Sequence, residues 1–216
     1  MTDQFSAEDL LCIRGERIVF TNLEFKLDGG GAMVLRGPNG SGKSSLLRLM
    51  AGLGRPVEGA LRWNGDDIHN DLTAHRARSV YIGHSDGVKT ALTVRENLAF
   101  WAGLGHNGNR MQDAIDRMAL SALADVAGRF LSAGEKRRLA LARLLVRDAP
   151  LWLLDEPTVG LDSGAQDIFE SLLADHCAGG GMVVLSTHTP IRLEPAQEVR
   201  LGDFAVARMN LEAAGA

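Results

Sequence analysis

The stretch Ala32-Met-Val-Leu-Arg-Gly37-Pro-Asn-Gly-Ser-Gly-Lys43-Ser44-Ser-Leu-Leu-Arg-Leu-Met50 carries an apolar segment into a glycine-rich loop and out again into helical periodicity. Residues Gly37–Ser44 match the pattern G-x-x-x-x-G-K-[ST], in the order strand, loop, helix. Glycines in such a loop let backbone N–H groups turn inward around an anion, and the helix that follows offers its positive N-terminal end. The expected contacts to a nucleoside triphosphate are Gly37, Pro38, Asn39, Gly40, Ser41, Gly42, Lys43, Ser44 and Ser45. Lys43 is expected to reach the β- and γ-phosphates as a point charge, and the Ser44 hydroxyl to ligate Mg²⁺.

Later stretches supply groups that this loop needs. Leu151-Trp-Leu-Leu-Asp155-Glu156-Pro157 reads as an apolar strand tipped by two carboxylates. Asp155 is expected to hold Mg²⁺ through a water, opposite Ser44, and Glu156 to take a proton from an attacking water. Alone, this run would read as a strand ending in a solvated acidic turn. Pro157, which stiffens the turn, and the upstream loop favour a bipartite site. Leu131-Ser-Ala-Gly-Glu135 leads into a helix with apolar Leu139, Ala142, Leu145 and Val146 and a basic face of Lys136, Arg137 and Arg143. Ser132 and Gly134 before that helix form a second anion-binding end; without the other motifs they would read as a plain N-cap beside solvated arginines.

Between these landmarks the chain alternates. Short runs in Leu10–Leu35 (LLCI, IVF, LEFKL, AMVL) read as strands around a turn at Gly29–Gly31, and Ala60–Trp63 and Ser79–Ile82 as two more. From Leu92 to about Ala127 the period becomes helical: Thr93 and Glu96 make a capping box, and Leu98, Trp101 and Leu104 recur at helical spacing. After a break at Gly103–Asn109, Met111–Val126 carries an apolar stripe of Ile115, Met118, Leu120 and Leu123. Strand–helix alternation returns with a strand at Leu151–Leu154, a helix at Ala165–Ala174, a turn at Gly179–Gly181 and a strand at Met182–Ser186. The expectation is an α/β fold: one domain over 1–216, a mostly parallel sheet, an N-terminal antiparallel β part, and a helical subdomain at about 86–148.

Composition narrows the function. At 216 residues and 45% hydrophobic, the chain has ample material for a core, and its net charge of −4 argues against a nucleic-acid binder relying on bulk positive charge. Two cysteines, Cys12 and Cys177, make neither a disulfide framework nor a metal-binding spacing. No apolar run approaches the roughly 20 residues that span a bilayer. MTDQFSAEDL lacks the basic start and apolar run of a signal peptide, so a cytosolic chain reaching the membrane through partners is expected.

The loop, the acidic strand and LSAGE together resemble ATP-binding-cassette (ABC) ATPases, over about Leu10 to Phe204. The resemblance implies ATP and Mg²⁺ as ligands, and a second copy facing head to tail, with Ser132 and Gly134 of one copy closing over the γ-phosphate held by the other. Asp162, in Gly160-Leu-Asp162, resembles the loop that communicates between the two sites. His188 resembles the switch histidine that contacts the γ-phosphate and orients the water. Tyr81-Ile-Gly-His84, Gly87–Leu98, Leu131–Arg138 and Ala149–Asp155 resemble one branch, the haem-exporter ATP-binding subunits of bacterial cytochrome c maturation. That branch implies an ATPase held peripherally at the cytoplasmic face of the inner membrane by integral membrane subunits of a cytochrome c maturation complex. There it would power haem handling or release of a haem chaperone. No haem-ligand motif stands on this chain, so no bound haem is expected, and no nucleic acid. A transporter subunit for another substrate, or a soluble non-transport ABC ATPase, is the alternative.

Two positions depart from the family pattern. Where an aromatic residue usually stacks on adenine, the chain reads Cys-Ile-Arg14-Gly-Glu-Arg17, and an arginine plane is the available substitute. Where a glutamine usually touches Mg²⁺ and senses the membrane partner, His84-Ser85 stands, and Ser85 is expected to ligate the metal or to hold a water.

Overall fold

A computed structural model describes residues 2–105 and 110–205. Two long antiparallel strands, β1 (Gln4–Arg14) and β2 (Arg17–Asp28), join β4 (Glu58–Trp63) and the short β5 (Asp66–Asp67) in one sheet of order β2-β1-β4-β5. The second sheet has the order β6-β7-β8-β3-β9, with every pairing parallel: β3 (Ala32–Arg36), β6 (Ser79–Ile82), β7 (Leu151–Asp155), β8 (Met182–Ser186) and β9 (Ala196–Arg200). Helix α1 (Lys43–Met50) follows β3, and α2 (Leu72–Ala77) precedes β6. Helices α3 (Val94–Gly105), α4 (Met111–Arg117) and α5 (Ala133–Val146) lie between β6 and β7, and α6 (Ser163–Ala178) between β7 and β8.

Parallel strands covered on both faces must be apolar throughout, and every residue of β7 and β8 is buried. Alternate residues serve opposite layers. Ala32, Val34, Trp152, Leu154, Val183 and Leu185 pack with the α3–α6 side, whereas Met33, Leu35, Leu151, Leu153, Met182 and Val184 pack with α1 and the antiparallel sheet. The loop that follows β3 is thereby wedged between two cores. Helix α1 seals its side with Leu46, Leu47, Leu49 and Met50, each buried residue worth ~1.5–3 kcal/mol of transfer free energy.

Several expectations are refined. IVF and LEFKL belong to one strand, β2, whose period is interrupted at Asn22, which has φ 50°. Strand β1 begins at Gln4, ahead of the expected start. The capping box before α3 forms: Glu96 N–H donates to Thr93 Oγ1 (3.1 Å) and Thr93 N–H to Glu96 Oε2 (2.8 Å). Met111–Val126 is not one helix. Helix α4 stops at Arg117, Ala119 turns the chain with φ 51°, and a short 3-10 turn follows at Ser121–Leu123. Ile115, Met118 and Leu120 are still fully buried, because the turn rather than a helical period carries them inward. Residues 106–109 of the expected break lie outside the described residues. The expected basic face of α5 is overturned at two of its three members: Arg137 and Arg143 are 3% and 8% exposed, with backbone carbonyls accepting from most of their guanidinium donors while Arg143 Nε is buried without a partner.

Candidate nucleotide site

The carboxyl ends of β3, β7 and β8 converge on a cleft of about 690 Å³, as expected where a parallel sheet binds a ligand. Its floor is the loop before α1. Gly42 has φ 104°, and a Cβ placed there would lie 2.3 Å from Val19 Cγ1, so both conformation and space demand glycine. Lys43, 7% exposed, folds back over the loop and donates to Gly37 O (2.8 Å) and Pro38 O (3.3 Å). Its ammonium also lies 3.1 Å from His188 Nε2. Asn39, Gly40, Ser44 and Ser45 line the same cleft, while Ser41 Oγ is buried without a partner.

The second wall is the end of β7. Asp155 is 3% exposed, and its Oδ1 accepts from Ser186 Oγ (2.7 Å). Glu156 adopts φ 49°, a left-handed conformation that turns its side chain away from that of Asp155. Its N–H donates to Ser186 O (3.1 Å) and Ser186 Oγ (3.0 Å). Its Oε1 lies 3.3 Å from His188 Nε2. That nitrogen thus stands between an ammonium and a carboxylate: it can accept from Lys43 in one protonation state and donate to Glu156 in another, never both at once.

Chemically, the cleft offers a cationic group and backbone donors for polyphosphate, a buried carboxylate and a nearby hydroxyl for a divalent ion, and a second carboxylate beside an imidazole. The unpartnered Ser41 Oγ and the cramped glycine at 42 fit a loop built to close on an anion. Ser44 and Asp155 both line the cleft, which suits shared coordination of Mg²⁺.

Of the sequence-predicted residues, Asn39, Gly40, Gly42, Lys43, Ser44, Ser45, Asp155, Glu156 and His188 line the cleft, and Gly37, Pro38 and Ser41 build the loop beneath it. Arg14 and Arg17 line the end where the expected aromatic is missing. From the His84-Ser85 pair, His84 lines the cleft, whereas Ser85 is exposed and outside its lining. Ser132, Gly134 and Asp162 are also outside the lining. Ser132 caps α5 in a reciprocal capping box with Glu135, whose carboxyl is held below its usual range by the Ser132 backbone and hydroxyl. Asp162 caps α6 by accepting from Ala165 N–H (2.8 Å). Gly134 packs tightly on the loop before α6: a Cβ on it would meet Gly160 O at 2.9 Å. Sequence reasoning missed Ser186, which bridges the two carboxylate residues, and Arg137. Ser186 closes the expected strand Met182–Ser186, but no local pattern distinguishes it from any strand-end serine.

Residues 20–159 match the family model described as ABC transporter. A protein of Paramagnetospirillum magneticum named cytochrome c biogenesis ATP-binding export protein CcmA is 54% identical over 209 residues, covering 94% of this chain and 96% of the relative. Its namesake from Rhodospirillum rubrum is 54% identical over 202 residues, covering 93% and 87%. Among solved structures, a putative ABC transporter ATP-binding protein from Pyrococcus furiosus superposes with a TM-score of 0.81 at 23% identity, covering 94% of this chain and all of that one. A dimeric ATP-binding cassette in a post-hydrolysis state, bound to ADP and Pi, superposes with a TM-score of 0.74 at 24% identity, covering 86% and 88%.

Proposed function

The chain belongs to the ABC transporter family, among the cytochrome c biogenesis ATP-binding export proteins, and from that membership we propose that it is the ATP-hydrolysing subunit of a haem-exporting cytochrome c maturation complex. The observation that carries the reading is the contact series Lys43–His188–Glu156 above a glycine loop, closed on its other wall by Asp155. Lys43 exchanges its loop carbonyls for the β- and γ-phosphate oxygens of ATP. Ser44 and Asp155 hold Mg²⁺, which supplies neutralisation of phosphate charge when bound. Glu156 takes the proton of the attacking water, and His188, within reach of both Lys43 and Glu156, orients that water against the γ-phosphate. Arg14 and Arg17 present guanidinium planes to the base. Ser85, outside the lining, contributes through a water, so Ser85→Gln leaves hydrolysis largely intact.

The reaction centre is completed by a second copy. Ser132 and Gly134 of that copy bring the N-terminus of α5 to the γ-phosphate, and Asp162 lies on the loop between the two sites. The whole chain acts as one nucleotide-binding domain, with about 86–148 as its helical subdomain. No helix among the described residues is long and apolar enough to cross a membrane. In this reading the chain is held at the cytoplasmic face of the inner membrane by integral membrane subunits, in keeping with its likeness to the export proteins. Haem belongs to the task of that complex rather than to a pocket of this chain.

Glu156→Gln tests the centre: ATP binding is retained while hydrolysis falls about 10²–10⁴-fold, the range of a lost general base. Lys43→Ala instead abolishes ATP binding. Normal turnover by Glu156→Gln overturns the assignment. Purification of the chain from membranes without any integral membrane subunit overturns the complex.

A further inference from the structure

We propose that Arg137 is a positioning residue that couples the two halves of the reaction centre, tying the helix that serves the partner copy's nucleotide to the backbone that aims this copy's own Glu156. The inference rests on the reading that Ser132 acts on the other copy's ATP. Arg137 lies on α5, five residues after its cap Ser132, so Ser132 and Arg137 move as one rigid element. A guanidinium has five N–H donors in a fixed fork. All five are used here. Nε donates to Pro157 O (3.0 Å), Nη2 to Asp155 O (3.0 Å) and Glu156 O (2.7 Å), and Nη1 to Gly83 O (3.1 Å) and Asp86 Oδ1 (3.0 Å).

Three of those acceptors are successive carbonyls of the turn that places Glu156. Glu156 sits in a left-handed conformation, which persists in a non-glycine residue only where neighbours over-determine it. Arg137 is that constraint from the carbonyl side, as Ser186 is from the N–H side. The other two acceptors flank His84, which lines the cleft. Arg143, two turns further along α5, donates to Asp86 O (2.9 Å) and Tyr81 O (3.2 Å), with its guanidinium 4.1 Å over the ring of Trp101 on α3. A shift of α5 on closing over the partner's γ-phosphate therefore pulls directly on the carbonyls that orient Glu156. Each site then fires in response to occupancy of the other.

A purely structural arginine would stabilise the fold and leave the chemistry proportional to folded protein. The test compares wild type, Arg137→Lys, Arg137→Gln and Asp86→Asn as full chains with the second copy present. It measures steady-state ATP hydrolysis against ATP concentration, affinity for a fluorescent ATP analogue, and thermal melting. Arg137→Lys keeps the buried positive charge that Asp86 faces, so it removes the fork without orphaning the carboxylate. The expected result is a drop in kcat of about 10–100-fold in Arg137→Lys, the scale of a catalytic group displaced by an ångström, with analogue affinity unchanged and the Hill coefficient falling to one. Arg137→Gln loses at least as much. Asp86→Asn, which leaves the three carbonyl bonds in place, loses less than either. Wild-type kcat and cooperativity in Arg137→Lys overturn the proposal. So does a loss of kcat matched by an equal loss of analogue affinity, or an Asp86→Asn as inactive as Arg137→Lys. Full turnover by Ser132→Ala with the second copy present would instead sink the reading beneath it, whatever Arg137 does.

Discussion

Ser186→Ala should weaken both the fold and the grip on Mg²⁺, and the two effects can be sized separately. Ser186 ends β8, has no exposed surface, and donates its hydroxyl to Asp155 Oδ1 at 2.7 Å. The Glu156 N–H that also points at this hydroxyl keeps a second acceptor, Ser186 O at 3.1 Å. Alanine therefore removes one hydrogen bond to a buried carboxylate, worth about 1.5–3 kcal/mol, and leaves no orphaned N–H. At ~2–4 °C per kcal/mol for a chain of this size, the melting temperature falls by about 3–12 °C. The same bond orients Asp155 toward the cleft, so with Asp155 in its proposed role on Mg²⁺, losing that partner raises the Mg²⁺ requirement by about 10–100-fold. Differential scanning calorimetry reads the first effect, and ATP hydrolysis titrated with Mg²⁺ reads the second. Excess Mg²⁺ restores turnover, whereas the melting temperature in its absence stays low. A variant that melts with wild type and needs no more Mg²⁺ would refute the idea that Ser186 holds Asp155 in place.

Gly42→Ala puts a methyl group 2.3 Å from Val19 Cγ1 at φ 104°, so overpacking and backbone strain of about 1–3 kcal/mol each fall on the loop. Equilibrium dialysis should show ATP affinity at least about tenfold weaker, since 1.4 kcal/mol is a factor of ten. Acid should also weaken the fold through one buried and one half-buried imidazole: desolvation pushes His75 and His176 below the ordinary 6.5. His75 is bonded to Met50 O (2.7 Å), and His176 is stacked on Trp152 with ring centroids 3.7 Å apart. The unfolded chain then binds protons that the folded chain refuses, so stability is complete above about 6.5 and falls as pH drops further. Melting curves between pH 7.5 and about pH 5 should show that decline, and His176→Gln should flatten it. An unchanged slope in that variant would mean His176 is not the group responsible.

How much could be read from sequence depended on how local each physical cause is. The glycine loop is spelled by consecutive residues whose conformational needs only glycine meets, as the fit of Gly42 against Val19 illustrates. Strands β7 and β8 were legible for a similar reason, since burial on both faces forces an unbroken apolar run. Strand β9 was not, because an edge strand written Ala-Gln-Glu-Val-Arg has no apolar face to announce it. The stripe after Met111 misled because burial of Met118 and Leu120 follows from a left-handed Ala119, and no alanine advertises that conformation. In the loop after β6, His84 is the side chain that lines the cleft and Ser85 is exposed beside it, and no local pattern in His84-Ser85 says which of two adjacent polar residues turns inward.

Arg137 marks where reading by motif stops. Lysine and arginine beside a helix N-terminus normally describe a solvated face, and nothing within α5 says otherwise. The acceptors that bury this guanidinium come from Gly83, Asp86 and Asp155–Pro157, segments brought to α5 only by folding. The consequence reaches beyond one side chain. Ser132 and Gly134 do not line the cleft of their own chain, yet the helix they begin grips the turn bearing Glu156. On the proposed reading, a single copy holds Glu156 through an element whose N-terminus serves a different nucleotide. That reading predicts turnover that depends on protein concentration, because the helix that bonds the Glu156 carbonyl would close on the other copy's nucleotide.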